Sequence, residues 1–409
     1  LQQGLALLAA QPDHHERDRL ELALQFTLGM AQVGQMGYER EAQQTYTKVR
    51  DLARQLGETS ALCRVTGELA CLYYVWAEHQ RARELAEETL VLAKQTQEPV
   101  LVAMATSYLG FVLFALGEFT SAREQFRHVI EFYNPSQHHR SFVALRGADF
   151  GVSALAYDAC CLWCLGFPDQ AAKQGEETLA LVHKLGHPFT LVDGLAYAGC
   201  LLNEMRQDAP TSPANGEELV QLATAKTPGW LATATWFWGG TLVMQGRLEN
   251  GIVELRLSME HKQSGHERCY KTGCLCSLAR AQAKAGHPEE GLDTVSEALA
   301  EVEQTDERYT EAEIYRLRGE LLLAQGNEHE AEASLRQAES CFQDAIEIAR
   351  RQQAKSWELR ATTSLARHWQ AQGKRNEARA ALGEVYDWFT EGFETPDLVE
   401  AKALLEVLS

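Results

Sequence analysis

The stretch Gly110-Phe-Val-Leu-Phe-Ala-Leu-Gly117-Glu-Phe-Thr-Ser-Ala122-Arg-Glu-Gln-Phe-Arg-His-Val129 decides how this chain is read. Its compact residues stand at Gly110, Gly117, Ala122 and Val129, in steps of 7, 5 and 7. The same ladder runs Met30, Gly37, Ala42, Val49, then Ala70, Ala77, Ala82, Thr89, then Ala159, Gly166, Ala171, Thr178. It returns as Gly239, Gly246, Gly251, Ser258, as Ala279, Gly286, Gly291, Ala298, as Gly319, Gly326, Ala331, Ala338, and as Ala366, Gly373, Ala378, Val385. Each slot has a physical reason. The first and third let two helices of one hairpin approach closely. The second ends the first helix in the left-handed conformation, which only glycine adopts without a Cβ penalty. The fourth lies on the seam with the next unit.

The spacing fixes the period. Ala42, Ala82 and Ala122 are 40 residues apart, as are Gly246, Gly286 and Gly326. Two intervals are wider. Gly117 to Gly166 spans 49 residues and includes Asn134-Pro-Ser-Gln-His-His-Arg140, read as a loop. Gly326 to Gly373 spans 47, and the stretch from Ala331 to Arg351 holds no helix breaker. The expected architecture is all-α, a right-handed solenoid of about nine helical hairpins over 18–391. The hairpins fall at 18–57, 58–97, 98–135, 141–186, 187–226, 227–265, 266–304, 305–352 and 353–391. The fifth is the least regular, broken by a loop from Asp208 to Gly216. A capping helix closes the array within 392–409, started by Thr395-Pro396. Residues 1–17 read as the end of a preceding helix and a linker at Gln11-Pro-Asp13. The first residue is Leu1 rather than Met, and the chain is expected to be a piece of a longer protein.

Composition narrows the function classes. A net charge of −19 over 409 residues repels phosphate backbones, so nucleic acid is not an expected partner. No stretch reaches the ~18 consecutive apolar residues of a membrane span, and no signal-peptide pattern follows Leu1. Ten cysteines sit in apolar helical stretches such as those of Cys63, Cys71 and Cys200, as buried small hydrophobes do in a reducing compartment. A cytoplasmic location is the expectation. Cys161-x-x-Cys164 would need a second pair, and the other cysteine group, Cys269 with Cys274-x-Cys276, lies three units away, so no metal site is expected. No Gly-x4-Gly-Lys-Ser/Thr, His-Glu-x-x-His or nucleophile triad can be argued from spacing. The segment is expected to be non-enzymatic and without a cofactor.

Binding residues follow from the register. Inner-face positions are expected three, six, ten and thirteen residues before each turn residue. They include the aromatics Tyr74, Phe111, Phe114, Trp163 and Trp236, with Trp163 and Trp236 together as a candidate ligand platform. They include the charged Arg280, Arg316, Arg360 and Arg367 of the last units. A polar cluster at the widened interval, His138, His139 and Arg140 with Arg146 and Asp149, adds a candidate site, since insertions in repeat arrays gather on one face. An inner groove with an aromatic centre and a charged end suits a protein or peptide partner or a small-molecule inducer.

The ladder resembles the tetratricopeptide repeat (TPR) superfamily. Three stretches resemble something narrower: 146–171, with Leu162-Trp163-Cys-Leu-Gly166-Phe-Pro168; 313–360, with Glu313-Ile-Tyr-Arg-Leu-Arg-Gly-Glu-Leu-Leu-Leu323; and 388–405. Together they look like the C-terminal helical region of bacterial multidomain signalling ATPases, in which an AAA/STAND-type ATPase module, often behind a class III adenylate/guanylate cyclase domain, precedes the repeats. The resemblance implies a sensor or scaffold domain in contact with an upstream ATPase domain. The alternative is a self-assembly module of the same parent protein.

Overall fold

The residue in the second slot of the ladder is where each hairpin turns. In the computed structural model, which describes residues 1–9, 15–36, 39–207, 213–264, 267–325 and 331–409, Ala77, Gly117, Gly166, Gly246, Gly286 and Gly373 all take positive φ, from 59° at Ala77 to 92° at Gly166. Gly37, Gly326 and the linker expected at Gln11–Asp13 lie outside the described residues. The first and third slots act as contact points. A Cβ on Gly239 would stand 3.0 Å from the backbone nitrogen of Leu255, and one on Gly251 would stand 2.9 Å from the Gly239 carbonyl oxygen. Glycine in both slots lets the two backbones of that hairpin touch.

The chain is all-helical among the described residues, and successive helices pack as antiparallel neighbours. After α1 (Gln2–Ala9), the hairpins are α2 (His15–Met36) with α3 (Arg40–Leu56), α4 (Thr59–Val75) with α5 (His79–Thr96), and α6 (Pro99–Ala115) with α7 (Phe119–Phe132). A short α8 (Pro135–Arg146) precedes α9 (Phe150–Cys164) with α10 (Pro168–Leu185). The fifth hairpin opens with α11 (Pro188–Gly194), widens into a π-helical stretch at Leu195–Leu201, resumes as α12 (Leu202–Arg206), and returns as α13 (Pro213–Ala225). There follow α14 (Leu231–Met244) with α15 (Leu248–Ser264), α16 (Lys271–Ala285) with α17 (Pro288–Thr305), α18 (Glu311–Gln325) with α19 (Ala331–Arg351), and α20 (Lys355–Ala371) with α21 (Arg375–Tyr386). That makes nine hairpins among the described residues. The final helix α22 (Pro396–Leu408) covers the last hairpin through Leu398, Ala401 and Leu404.

Two loops expected from sequence are helical. Asn134–Arg140 begins α8: Pro135 holds the first helical position, and the Asn134 side chain accepts from the Ser136 backbone N–H at 3.1 Å. Burial of Phe142 anchors the helix. Residues 213–216 of the loop expected at Asp208–Gly216 form the first turn of α13, and 208–212 lie outside the described residues.

The array winds tightly enough to meet itself. The Val75 carbonyl at the end of α4 accepts from the Arg268 and Cys269 N–H groups ahead of α16, at 2.8 and 2.9 Å. The Ala115 carbonyl at the end of α6 accepts from Arg308 and Tyr309 ahead of α18, at 2.8 and 3.2 Å. The Trp163 carbonyl in α9 accepts from Ser356 Oγ in α20 at 2.5 Å. Hairpins two, three and four thus bond hairpins seven, eight and nine, five units further along. Buried His79 stands 3.5 Å from buried Glu307 across the same seam. Burial alone would raise the Glu307 pKa. Its contact with His79 and the hydrogen bonds from Thr272 hold it below the usual carboxylate value instead.

This winding changes what the inner face is. A helix that lines an open groove keeps a polar side. Pro99–Ala115 instead buries 13 of its 17 residues and Phe150–Cys164 buries 14 of its 15, so the first helices of the middle hairpins are covered all round. The inner face is largely core, with a chamber left inside the first turn of the array.

Candidate functional site

That chamber has a volume of about 310 Å³ and is lined by residues of the first five hairpins and α8 and by the segments leading to α14 and α16. Its wall is aromatic. Tyr74 comes from α4, Tyr108 and Phe111 from α6, Tyr157 from α9, and Tyr197 from the π-helical stretch. The rings touch: Phe111 lies 4.8 Å and Tyr197 lies 4.5 Å from Tyr157, centroid to centroid. Behind them three phenols converge, with the Tyr270 hydroxyl 2.5 Å from that of Tyr74 and 2.6 Å from that of Tyr157. Burial pushes these phenols well above their ordinary pKa, so they stay neutral hydrogen-bonding groups. Lys226 to Trp230, which joins α13 to α14, forms a rim together with exposed Phe189.

Few charged groups enter this wall. Glu68 of α4 accepts from the Tyr108 hydroxyl at 3.0 Å, and burial raises its carboxyl to about 6. Asp193 of α11 accepts from the Ser153 hydroxyl and stands 3.7 Å from Arg146. Burial raises its pKa too. The Arg146 guanidinium, at the C-terminal end of α8, lies over Phe150 at 4.8 Å and Phe111 at 5.6 Å. An apolar cavity with a few convergent polar groups is the usual form of a small-ligand site. The π-helical stretch that brings in Tyr197 is a feature often found where helices serve a function.

The structure brings three sequence-derived candidates together here: Tyr74, Phe111 and Arg146. The others lie elsewhere. Phe114 is fully buried between Phe119, Tyr157 and Tyr309. Trp163 and Trp236 form no joint platform. Trp163 is 2% exposed, edge-on to Trp357 at 4.7 Å, with the Arg360 guanidinium 4.9 Å above its ring. Trp236 is 1% exposed, stacked on Phe237 at 4.2 Å, and its indole N–H donates to Ser277 Oγ. The tight winding buries both rings in the core.

The remaining charged candidates are engaged within the chain. Asp149 caps α9 by accepting from the Gly151 N–H at 2.9 Å, accepts from the Tyr133 hydroxyl at 2.6 Å, and meets His139 Nδ1 at 2.7 Å. Arg316 pairs with Glu313 and Glu320, and Arg360 with Asp397 and the Met205 carbonyl. Arg367 pairs with Glu400. Arg280 bonds Glu204 and Glu313. Among the described residues no group of three or more His, Cys, Asp or Glu side chains gathers as a metal site. No described helix is long and apolar enough to cross a membrane.

Glu68, Tyr108 and Tyr157 were not expected from the register. All three stand nine residues before a turn residue (Ala77, Gly117 and Gly166), a slot the three-six-ten-thirteen rule leaves out. Asp193 and Tyr197 had no marker, because Gln207 rather than glycine takes the left-handed turn of the fifth hairpin, at φ 52°.

Residues 102–134 match the tetratricopeptide repeat. No curated protein matches the chain. Among solved structures, a Rap protein complexed with Competence and Sporulation Factor aligns over 95% of this chain and 99% of its own, with a TM-score of 0.56 at 11% identity. A STAND signal-transduction ATPase with a tetratricopeptide repeat sensor from Pyrococcus horikoshii aligns over 98% of this chain and 56% of its own, with a TM-score of 0.48 at 12% identity. The human IFIT1 dimer with m7Gppp-AAAA aligns over 79% of this chain and 68% of its own, with a TM-score of 0.46 at 14% identity. The chain is therefore similar in fold to tetratricopeptide-type arrays, the repeat match lying on α6 and α7.

Proposed function

We propose that this segment is a non-catalytic sensor that takes a peptide end or a small molecule into the tyrosine-walled chamber. The observation that carries the reading is the chamber itself: about 310 Å³, aromatic, and supplied with only a few buried charges. The fold neighbour complexed with Competence and Sporulation Factor supports a ligand-taking role for an array of this shape. The wall also offers a route for the signal. Val75 and Cys269 line the chamber, and the same two residues bond each other across the seam. A ligand that fits the chamber better at one spacing of the seam than at another shifts the array between the two, and only such a difference transmits anything. The sequence resemblance supplies the output: an ATPase or cyclase domain upstream in the parent protein, regulated by the state of the array.

Filling the chamber tests the reading. Ala148 lines it, and Ala148→Phe places a ring inside. Native mass spectrometry of wild type and variant against a peptide and metabolite library should give ligands retained by wild type and lost by the variant, with helicity unchanged. Ligands retained equally by both place recognition elsewhere. A wild type that retains nothing rejects the sensor reading.

A further inference from the structure

The tyrosine-walled chamber holds one carboxylate that its own wall does not answer. Glu68, Asp193 and Glu267 line it against Arg146 and Lys226. Asp193 stands 3.7 Å from Arg146. Glu267 stands 3.8 Å from the buried Lys262 and accepts from the Thr233 hydroxyl at 2.9 Å. Lys226 is exposed on the rim. Glu68 has no ion-pair partner among the described residues. Its one hydrogen bond there comes from the Tyr108 hydroxyl at 3.0 Å and occupies Oε1. Oε2 has no such partner, and it is not one of the sealed polar atoms of the core. Glu68 keeps accessible surface and lines the chamber. A carboxylate oxygen left open in a largely apolar space calls for a donor.

The surroundings of Glu68 decide which donor. Tyr108 from α6, Arg146 from α8 and Arg64 on its own helix are the groups that bear on its charge. Both guanidiniums are engaged elsewhere. Arg64 lies over the Phe26 ring at 4.5 Å, and Arg146 lies over Phe150 at 4.8 Å with Asp193 beside it. The phenols of Tyr74, Tyr157 and Tyr270 bond one another. The rest of the wall is aromatic, with Phe111, Tyr197 and Trp230. Ring faces attract cations, and a chain of net charge −19 draws them from solution. A carboxylate ligand would face Glu68 as a like charge. A neutral apolar ligand would leave Oε2 unpaired.

Resting on the reading of the chamber as a ligand site, we propose that it takes a protonated primary amine on an aromatic or apolar body. The ammonium donates to Glu68 Oε2, and the body lies among Phe111, Tyr157 and Tyr197. Tyr108 is a positioning residue, since its hydroxyl holds Oε1 and so orients the carboxylate.

Isothermal titration calorimetry of the whole chain with 4-phenylbutylamine, 4-phenylbutanol and 4-phenylbutanoate tests this. The amine should bind about tenfold tighter than the alcohol, the gain of one charge-assisted hydrogen bond, and the acid should bind weakest. Glu68→Gln should bring the amine down to the level of the alcohol. Burial raises the Glu68 carboxyl to about 6. The amine binds the ionised form, so its affinity should fall by about tenfold from pH 7 to pH 5. Asp193, raised by the same cause, faces Arg146 and Ser153 instead, so the fall should vanish in Glu68→Gln. Phenylalanyl-glycyl-glycinamide against 4-phenylbutylamine tells a peptide amino terminus from a free amine, both of which carry the proposed group. Equal binding of amine and alcohol, or an amine preference or pH dependence that survives in Glu68→Gln, would overturn the proposal. Amine and alcohol bound equally and both lost in Ala148→Phe would leave the chamber a ligand site and remove only the amine. No binding of the amine overturns the proposal, while the library measurement with Ala148→Phe still decides the chamber.

Discussion

Replacing turn glycines by alanine separates the cost of the turn from the cost of the seam. Gly246 and Gly117 occupy the same slot of the ladder, with φ 78° and 76°. A Cβ on Gly246 would meet nothing within 4 Å. Gly246→Ala therefore carries only the left-handed penalty of about 1–2 kcal/mol, partly offset by about 0.4–1 kcal/mol from a less flexible unfolded chain. A net loss of ~1 kcal/mol is expected. A Cβ on Gly117 would collide with Gln352 Nε2 and come within 3.3 Å of the Arg308 carbonyl oxygen. Gln352 donates to that carbonyl at 2.8 Å and is itself buried. Forcing it away leaves a buried donor unsatisfied, a further ~1–3 kcal/mol. Gly117→Ala should thus cost about 2–4 kcal/mol in all. Repeat arrays open locally, so hydrogen exchange resolved by segment is a better assay than a single melting curve. Gly117→Ala should speed exchange at Arg308 and Tyr309, more than 190 residues away in sequence; Gly246→Ala should not. Equal effects of the two variants, or no change at 308–309, would refute the contact between hairpins three and eight.

The buried pair across the seam should behave as a pair. Glu307 accepts from the Tyr270 and Thr272 N–H groups and from the Thr272 hydroxyl, so Glu307→Gln should leave part of this buried set unsatisfied, and a loss of about 1–3 kcal/mol is expected by denaturant titration. Trp163→Ala and Trp236→Ala each empty a core site and should cost about 3–5 kcal/mol, read as lower melting temperatures. Neither is therefore a clean probe of binding. The Glu68 carboxyl, raised to about 6 by burial, is an acid whose folded pKa lies above its unfolded one. Its neutral form is favoured in the fold, so its contribution falls as pH rises from about 4.3 to 6. Glu68→Gln should stabilise the chain at pH 7 by ~1–2 kcal/mol and flatten the stability profile across that window. An unchanged profile would contradict the assignment.

The helical hairpins were legible because they are written in local chemistry. Gly117, Gly166, Gly246, Gly286 and Gly373 mark turns, and Gly239 with Gly251 marks a close helix crossing. The helix α8 was misread since Asn134-Pro135 signals both a turn and a helix start, and Phe142, which settles the matter, lies seven residues on. The seam was not legible. Its hydrogen bonds run from backbone amides at 268, 269, 308 and 309 to carbonyls at 75 and 115, and backbone groups carry no residue signature. One sign was available: α6 carries no charged residue and α9 only Asp158, which fits helices covered all round rather than lining an open groove. The chamber was half legible. Tyr74, Phe111 and Arg146 came from the register and the widened repeat, whereas Glu68, Tyr108 and Tyr157 share a slot that only the real winding turns inward.

Hydrogen exchange with and without a ligand captured by the wild-type chain is the measurement that bears most directly on the sensor reading. Protection is expected at 68–75, 108–112, 146–148 and 226–230, the segments that wall the chamber, together with slowed exchange at Arg268 and Cys269 across the seam. Protection confined to α20, α21 and α22, with those segments unchanged, would contradict it.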